Sequence, residues 1–62
     1  MESKWVYARN EYPHMGISGL QKLMKELDFS EYDKEQIMAG VAPDWGTLTH
    51  QSKVAFIHWI ND

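Results

Sequence analysis

The chain has 62 residues, no cysteine and a formal net charge of −3 at pH 7. A chain of this length forms one domain at most, and it buries only about 60% of the surface that its unfolded form exposes. Without cysteine, disulfides and thiolate metal sites are excluded. Stability must therefore come from dense packing of its three Trp, three Tyr and two Phe, or from a partner chain.

The charge and apolar patterns predict a cytoplasmic protein with no affinity for membranes. Residues 1–5 lack the apolar run of a signal peptide, and apolar stretches such as residues 54–57 are far too short to span a bilayer. The six basic residues are scattered along the chain and outnumbered by nine carboxylates. This pattern disfavours nucleic-acid binding, because non-specific affinity for a duplex comes mainly from Lys and Arg.

Residues 1–16 predict an arm or loop rich in aromatic side chains. Residues 5–8 alternate as a short strand would, but no partner strand is visible. Pro13 then disfavours helical geometry at Tyr12. We expect an ordered arm, or a short helical turn, that packs its aromatic rings on the helices behind it.

The first predicted helix covers residues 18–27. Ser18 followed by Gln21 is a capping-box pattern, in which each side chain satisfies a free N–H group of the first turn. Apolar residues then recur at helical spacing, on an arc of about 120°. These residues are Leu20, Leu23, Met24 and Leu27.

Two further helices are predicted, at residues 31–40 and 48–60. The second has two possible starts, Ser30 with Asp33 or Asp33 with Gln36, and ends at Gly40, which suits a left-handed C-terminal position. A loop with Pro43 and Gly46 leads to the third, which Thr47 or Thr49 caps. The sum is an all-α fold, a compact three-helix bundle with an N-terminal aromatic arm, as a single domain over residues 1–62.

The third predicted helix carries more apolar surface than a helix packed on one side requires. Its apolar residues fan over roughly 200° of the helix circumference. Four of them suffice to meet the first helix, namely Leu48, Ala55, Phe56 and Trp59. Ile57 and Ile60 remain at the margin, where either the arm or a partner protein covers them. The residues predicted to bind a partner are Trp5, Tyr7, Trp45, Ile57 and Ile60.

The three histidines do not predict a metal site. His50 and His58 are eight residues apart, about 12 Å along a helix, whereas a helical metal pair needs a spacing of three or four. His14 lies in the predicted loop. We expect no metal and no cofactor.

Acidic residues cluster between positions 26 and 35, at Glu26, Asp28, Glu31, Asp33 and Glu35. Negative charge near the start of the second helix is favoured by the helix dipole, which accounts for several of them. A docking surface for a basic partner is the alternative interpretation. A catalytic acid–base pair is not expected, because a short helical chain rarely encloses a pocket of about 300 Å³.

Residues 15–18 resemble the turn of the helix-turn-helix motif, with residues 19–27 in the place of its recognition helix. The resemblance implies a DNA-binding regulator. The residues that would touch phosphates are Ser18, Gln21, Lys22 and Lys25. The sequence departs from the motif at Pro13, where the first helix should be continuous, and at the two lysines, where the motif has apolar residues.

No nucleophile motif, phosphate loop or dinucleotide fingerprint is present, so catalysis is not expected. The predicted function is a non-catalytic module that binds another protein, or a second copy of itself, and regulates or inhibits its partner. A short, acidic, cysteine-free chain is typical of small bacterial or phage-encoded modulators. The helix-turn-helix regulator is the alternative.

Overall fold

The computed structural model describes residues 3–61, and this part of the chain is all-helical. The all-α prediction is therefore confirmed, but the described residues form four α-helices where three were expected. These are α1 (Lys4–Glu11), α2 (Gly16–Leu23), α3 (Glu31–Met38) and α4 (His50–Asn61). Short 3₁₀ turns cover Tyr12–His14 and Trp45–Thr47.

The predicted arm is largely the helix α1. Ser3 caps its start, since its Oγ accepts a hydrogen bond from the Val6 N–H at 3.1 Å. Ala8 and Tyr12, four residues apart, are both buried. Pro13 falls in the first turn of the following 3₁₀ segment, where a missing N–H costs nothing, so it ends α1 without breaking it. The prediction of an arm or loop was wrong at Lys4–Glu11, and the alternative of a short helical turn was closer, although α1 has eight residues. Its apolar residues are consecutive and show no helical period, so the sequence did not reveal this length.

Helix α2 begins two residues earlier than predicted. Gly16 has a φ of +67°, which allows the chain to turn out of the 3₁₀ segment and enter the helix. The predicted capping box was wrong, because no side chain caps α2 and Ser18 is exposed within it. Gln21 instead donates from its Nε2 to the Ile37 carbonyl at 3.1 Å, and so joins α2 to the end of α3.

Helix α3 uses the first of its two predicted starts. The Ser30 Oγ accepts a hydrogen bond from the Asp33 N–H at 3.3 Å. At the other end Gly40 has a φ of +86°, and the Val41 N–H donates to the Gln36 carbonyl at 2.9 Å. This is a Schellman ending, and it turns the chain into the loop that leads to α4.

A buried polar cluster, which we call the polar lock, joins the starts of α3 and α4. Its members are Ser30, Asp33, Thr49 and Ser52. The Thr49 N–H and hydroxyl lie 3.0 and 2.8 Å from Asp33 Oδ2, and the Ser30 N–H donates to Ser52 Oγ at 3.0 Å. Thr49 also accepts a weaker hydrogen bond from the Ser52 N–H at 3.4 Å, which identifies it as the cap of α4.

Asp33 is fully buried, and its Oδ1 has no hydrogen-bond partner among the described residues. Burial by itself raises the pKa of this carboxyl, but hydrogen bonds from Ser52, Thr49 and Ser30 outweigh it and hold the pKa below its ordinary value. The carboxylate therefore stays ionised while buried, at the positive ends of two helices.

The hydrophobic core lies between the four helices, with α1 packed against α4 and α2 against α3. Its buried members are Ala8, Tyr12, Leu20, Leu23, Met24, Phe29, Ile37, Leu48, Phe56 and Ile57. The Tyr12 hydroxyl donates to the Pro43 carbonyl at 2.7 Å, and burial raises the pKa of this tyrosine above its ordinary value. Its polar tip is thus satisfied inside the core.

Candidate protein-binding surface

The structure separates the five residues predicted to bind a partner. Trp5 and Trp45 lie together near the start of α4. Tyr7 and Ile60 line a groove near its end. Ile57, which was expected at an exposed margin, is only 7% exposed, because α1 packs against α4 and covers it. The segment that was predicted as an arm therefore packs over Ile57, and this residue belongs to the core.

The aromatic residues near the start of α4 contact one another, although Trp5 is still 44% exposed. Trp5 stacks on His50, with ring centroids 5.8 Å apart, and meets the edge of Trp45 at 6.3 Å. Trp45 in turn packs edge-on against Phe56 at 5.9 Å, and the Lys53 Nζ lies 5.9 Å from its ring centroid. Edge and stacked arrangements of this kind stabilise a fold beyond the area they bury.

Trp59 is placed differently, near the other end of α4. It is 41% exposed, and its ring packs against Phe56 at 5.5 Å from within its own helix. A first groove of about 640 Å³ lies on one side of it. The residues that line this groove are Tyr7, Glu11, Met15, Trp59 and Ile60.

A second groove, of about 680 Å³, lies on the other side of Trp59 and runs along α4. Its lining residues are Glu26, Leu27, Asp28, His50, Gln51, Val54, Ala55, His58 and Trp59. The segment after α2 forms one wall, and it is held to α4 because the Gln51 Nε2 donates to the Asp28 carbonyl at 3.2 Å. We call Trp59 and the two grooves together the Trp59 face.

Sequence reasoning missed the central residue of this face. We expected Trp59 in the core because it lies on the apolar arc of the helix. In the structure α1 packs against part of that arc, and Trp59 remains partly exposed. Val54 was the available signal, since this apolar residue falls on the polar side of the helical wheel among His58 and Gln51. In the structure these three residues line the same groove.

The acidic cluster does not act as one unit. Asp33 is in the polar lock, and the exposed Glu31 forms a salt bridge with Lys34 at 3.4 Å. Glu26 and Asp28 line the second groove. Only these last two are placed to face a partner that binds beside Trp59.

Among residues 3–61, no group of three or more His, Asp or Glu side chains is arranged to hold a metal ion. No helix in that range is both long and apolar enough to cross a membrane.

Three of the residues that would touch phosphates in a helix-turn-helix protein are exposed, namely Ser18, Lys22 and Lys25. Of these, Lys25 lies just beyond the end of α2.

No protein-family model matches the sequence, and neither a curated protein nor a solved structure matches it. The proposals below therefore start from the geometry and charge of the described residues.

Proposed function

We propose that this chain is a small, cytoplasmic, non-catalytic module that binds another protein and regulates or inhibits it. The observation that carries the proposal is Trp59, a large aromatic side chain that the fold leaves 41% exposed between two grooves. Tryptophan is among the residues that contribute most to protein interfaces, especially where pockets lie beside it. Tyr7, 46% exposed, extends the same surface.

The ionisable groups with shifted pKa values support a non-catalytic role. Catalytic groups usually combine a shifted pKa with a position in a cleft. Here Asp33 and Tyr12 have shifted pKa values, but both side chains hold the fold together. Asp33 belongs to the polar lock, and Tyr12, which lines a smaller pocket away from Trp59, uses its hydroxyl to bind the Pro43 carbonyl.

Affinity capture tests the proposal. The immobilised wild-type chain is compared with Trp59→Ser and with a matched control, Tyr32→Ser, which removes an aromatic residue that is 61% exposed on α3 and outside both grooves. We expect at least one protein to be retained by the wild type and by Tyr32→Ser, and depleted about tenfold or more on Trp59→Ser, as for a central interface residue. Equal recovery on all three would contradict the proposal.

The partner is either a different protein or a second copy of the chain. Sedimentation velocity over a range of concentrations distinguishes the two. A concentration-dependent dimer that Trp59→Ser abolishes indicates self-association through the Trp59 face, whereas a monomer at every concentration leaves a different protein as the partner.

DNA binding is the alternative function, and the exposure of Lys22 and Lys25 is the observation that favours it. Binding of a duplex that falls steeply with salt and is lost in a Lys22→Glu, Lys25→Glu double variant would establish it. We rank it second because the net charge is −3.

A further inference from the structure

The formal charges on the Trp59 face have one sign. Glu11 lines the first groove, and Glu26 and Asp28 line the second. Among residues 3–61, no Lys or Arg lines either groove. The apolar lining comes from both sides of Trp59, so the face combines an apolar centre with carboxylates around it. A surface of this kind is complementary to a segment that is apolar and basic.

The second groove also has the length of a short helix. Its lining residues follow α4 from His50 to Trp59, a rise of about 13 Å at 1.5 Å per residue. An apolar stripe at positions i, i+3 or i+4, and i+7 of a bound helix spans about 10 Å, which fits within this distance. Leu27, Val54 and Ala55 supply apolar contacts for such a stripe.

We propose that the Trp59 face binds an amphipathic helical segment of a partner protein, whose apolar stripe enters the second groove and whose Lys or Arg side chains lie opposite Glu26 and Asp28. The inference rests on the proposed protein-binding function and specifies the chemistry of the partner. The carboxylates favour encounter with a basic segment and disfavour an acidic one.

A second copy of the chain is a poorer occupant of this face. A symmetric dimer uses the same surface on both subunits, so it would bring Glu11, Glu26 and Asp28 of each copy close to those of the other. Like charges brought together at an interface are unfavourable. A partner with the opposite charge avoids this repulsion.

The test uses a displayed library of helical peptides about 18 residues long, in which the apolar stripe is fixed and the flanking positions are randomised. Selection on the wild-type chain is compared with selection on Glu26→Lys and on a matched control, Glu35→Lys. Both glutamates are exposed, but Glu35 lies on α3 and lines neither groove. Both substitutions change the net charge by the same amount, so a difference between the two variants reflects the position of the charge.

We expect Lys and Arg to be enriched over Asp and Glu at the flanking positions by about tenfold on the wild type and on Glu35→Lys, as for a complementary interface. On Glu26→Lys the enrichment shrinks or reverses. Selected basic peptides also bind the wild type more weakly as salt is raised.

Three results would overturn the inference. They are an absence of selected peptides, flanks without a charge preference, and a basic preference that is the same on Glu26→Lys as on Glu35→Lys. If capture by the wild type still depends on Trp59, the protein-binding function stands and only the helical, basic partner is rejected. If capture fails as well, both proposals fall.

Discussion

The two ends of α4 differ in how completely the fold uses their side chains. Near the start, Thr49 and Ser52 take part in the polar lock, which joins α4 to the start of α3. Toward the end, the Trp59 side chain is partly exposed to solvent, and an open groove lies on each side of it. One helix therefore carries both the part of the chain that fixes the fold and the part that we propose for recognition.

The difference separates stability from binding along a single element. Buried hydrogen bonds to a charged group stabilise strongly when complete and cost most when broken. An exposed aromatic residue contributes less to folding, and its remaining surface is available for a partner. Substitutions in the polar lock should thus act on stability, and substitutions on the Trp59 face on affinity.

The largest expected effect is that of Asp33→Ala. It removes the buried acceptor of the Thr49 N–H and hydroxyl and leaves that N–H without a partner, while the hydroxyl keeps only the neighbouring Ser30 and Ser52 oxygens, so we expect the free energy of unfolding to fall by about 3 kcal/mol. Chemical denaturation measures it. Asp44→Ala is the control, because Asp44 is exposed and its side chain caps no helix; its effect should stay within about 0.5 kcal/mol. Equal effects of the two variants would show that the polar lock does not stabilise the fold.

The second prediction concerns Trp59→Ser, which should lower the stability of the fold only slightly and the affinity for a partner strongly. Because Trp59 is already 41% exposed, we expect a loss of about 1–2 kcal/mol in stability, clearly less than for Asp33→Ala. Affinity for a selected peptide or captured partner should fall about tenfold or more. Denaturation and fluorescence anisotropy measure the two quantities on the same protein. A loss of stability as large as that of Asp33→Ala would place Trp59 in the core.

A smaller effect on stability is expected for glycine substitutions in the loop between α3 and α4. Gly40 has a φ of +86°, whereas Gly46 has no such constraint and open space around its Cα. Gly40→Ala should lower the free energy of unfolding by about 1 kcal/mol, and Gly46→Ala should be close to neutral. Thermal unfolding of the pair tests this, and indistinguishable melting temperatures would argue against the Schellman ending of α3.

The smallest effect is that of acid on the polar lock. Because the pKa of Asp33 is lower in the folded chain than its ordinary value of 3.8, its contribution to stability is complete above that pH and is lost as pH falls toward the folded value. Denaturation midpoints of the wild type should therefore drop below about pH 4 more than those of Asp33→Asn, which cannot titrate at this position. Parallel pH profiles would contradict the lowered pKa.

The sequence predicted those elements whose signals are local. Ser30 with Asp33 marks the start of α3, Gly40 its end, and Thr49 is one of two predicted caps for α4. Each depends on residues within one turn of each other, where the physical pattern is short-range. The all-α class follows from the same signals.

The missed features depend on contacts between distant parts of the chain. Nothing in the spacing of α1 reveals that Ala8 and Tyr12 face a core that includes residues of α4, more than thirty positions away. The same packing decides that Ile57 is covered and Trp59 is not. Asp33 was predicted as a helix-dipole residue, and it does lie in the first turn of α3, but its bond to Thr49, sixteen residues further along the chain, also joins α3 to α4.

The most direct test of the division along α4 is an NMR titration of the isotope-labelled chain with a basic helical peptide from the selection. We expect the largest chemical-shift changes at Leu27, Val54 and the Trp59 indole, with little change at the amides of Thr49 and Ser52. Changes centred on Lys22 and Lys25, or changes at Thr49 and Ser52 as large as those on the Trp59 face, would contradict this division.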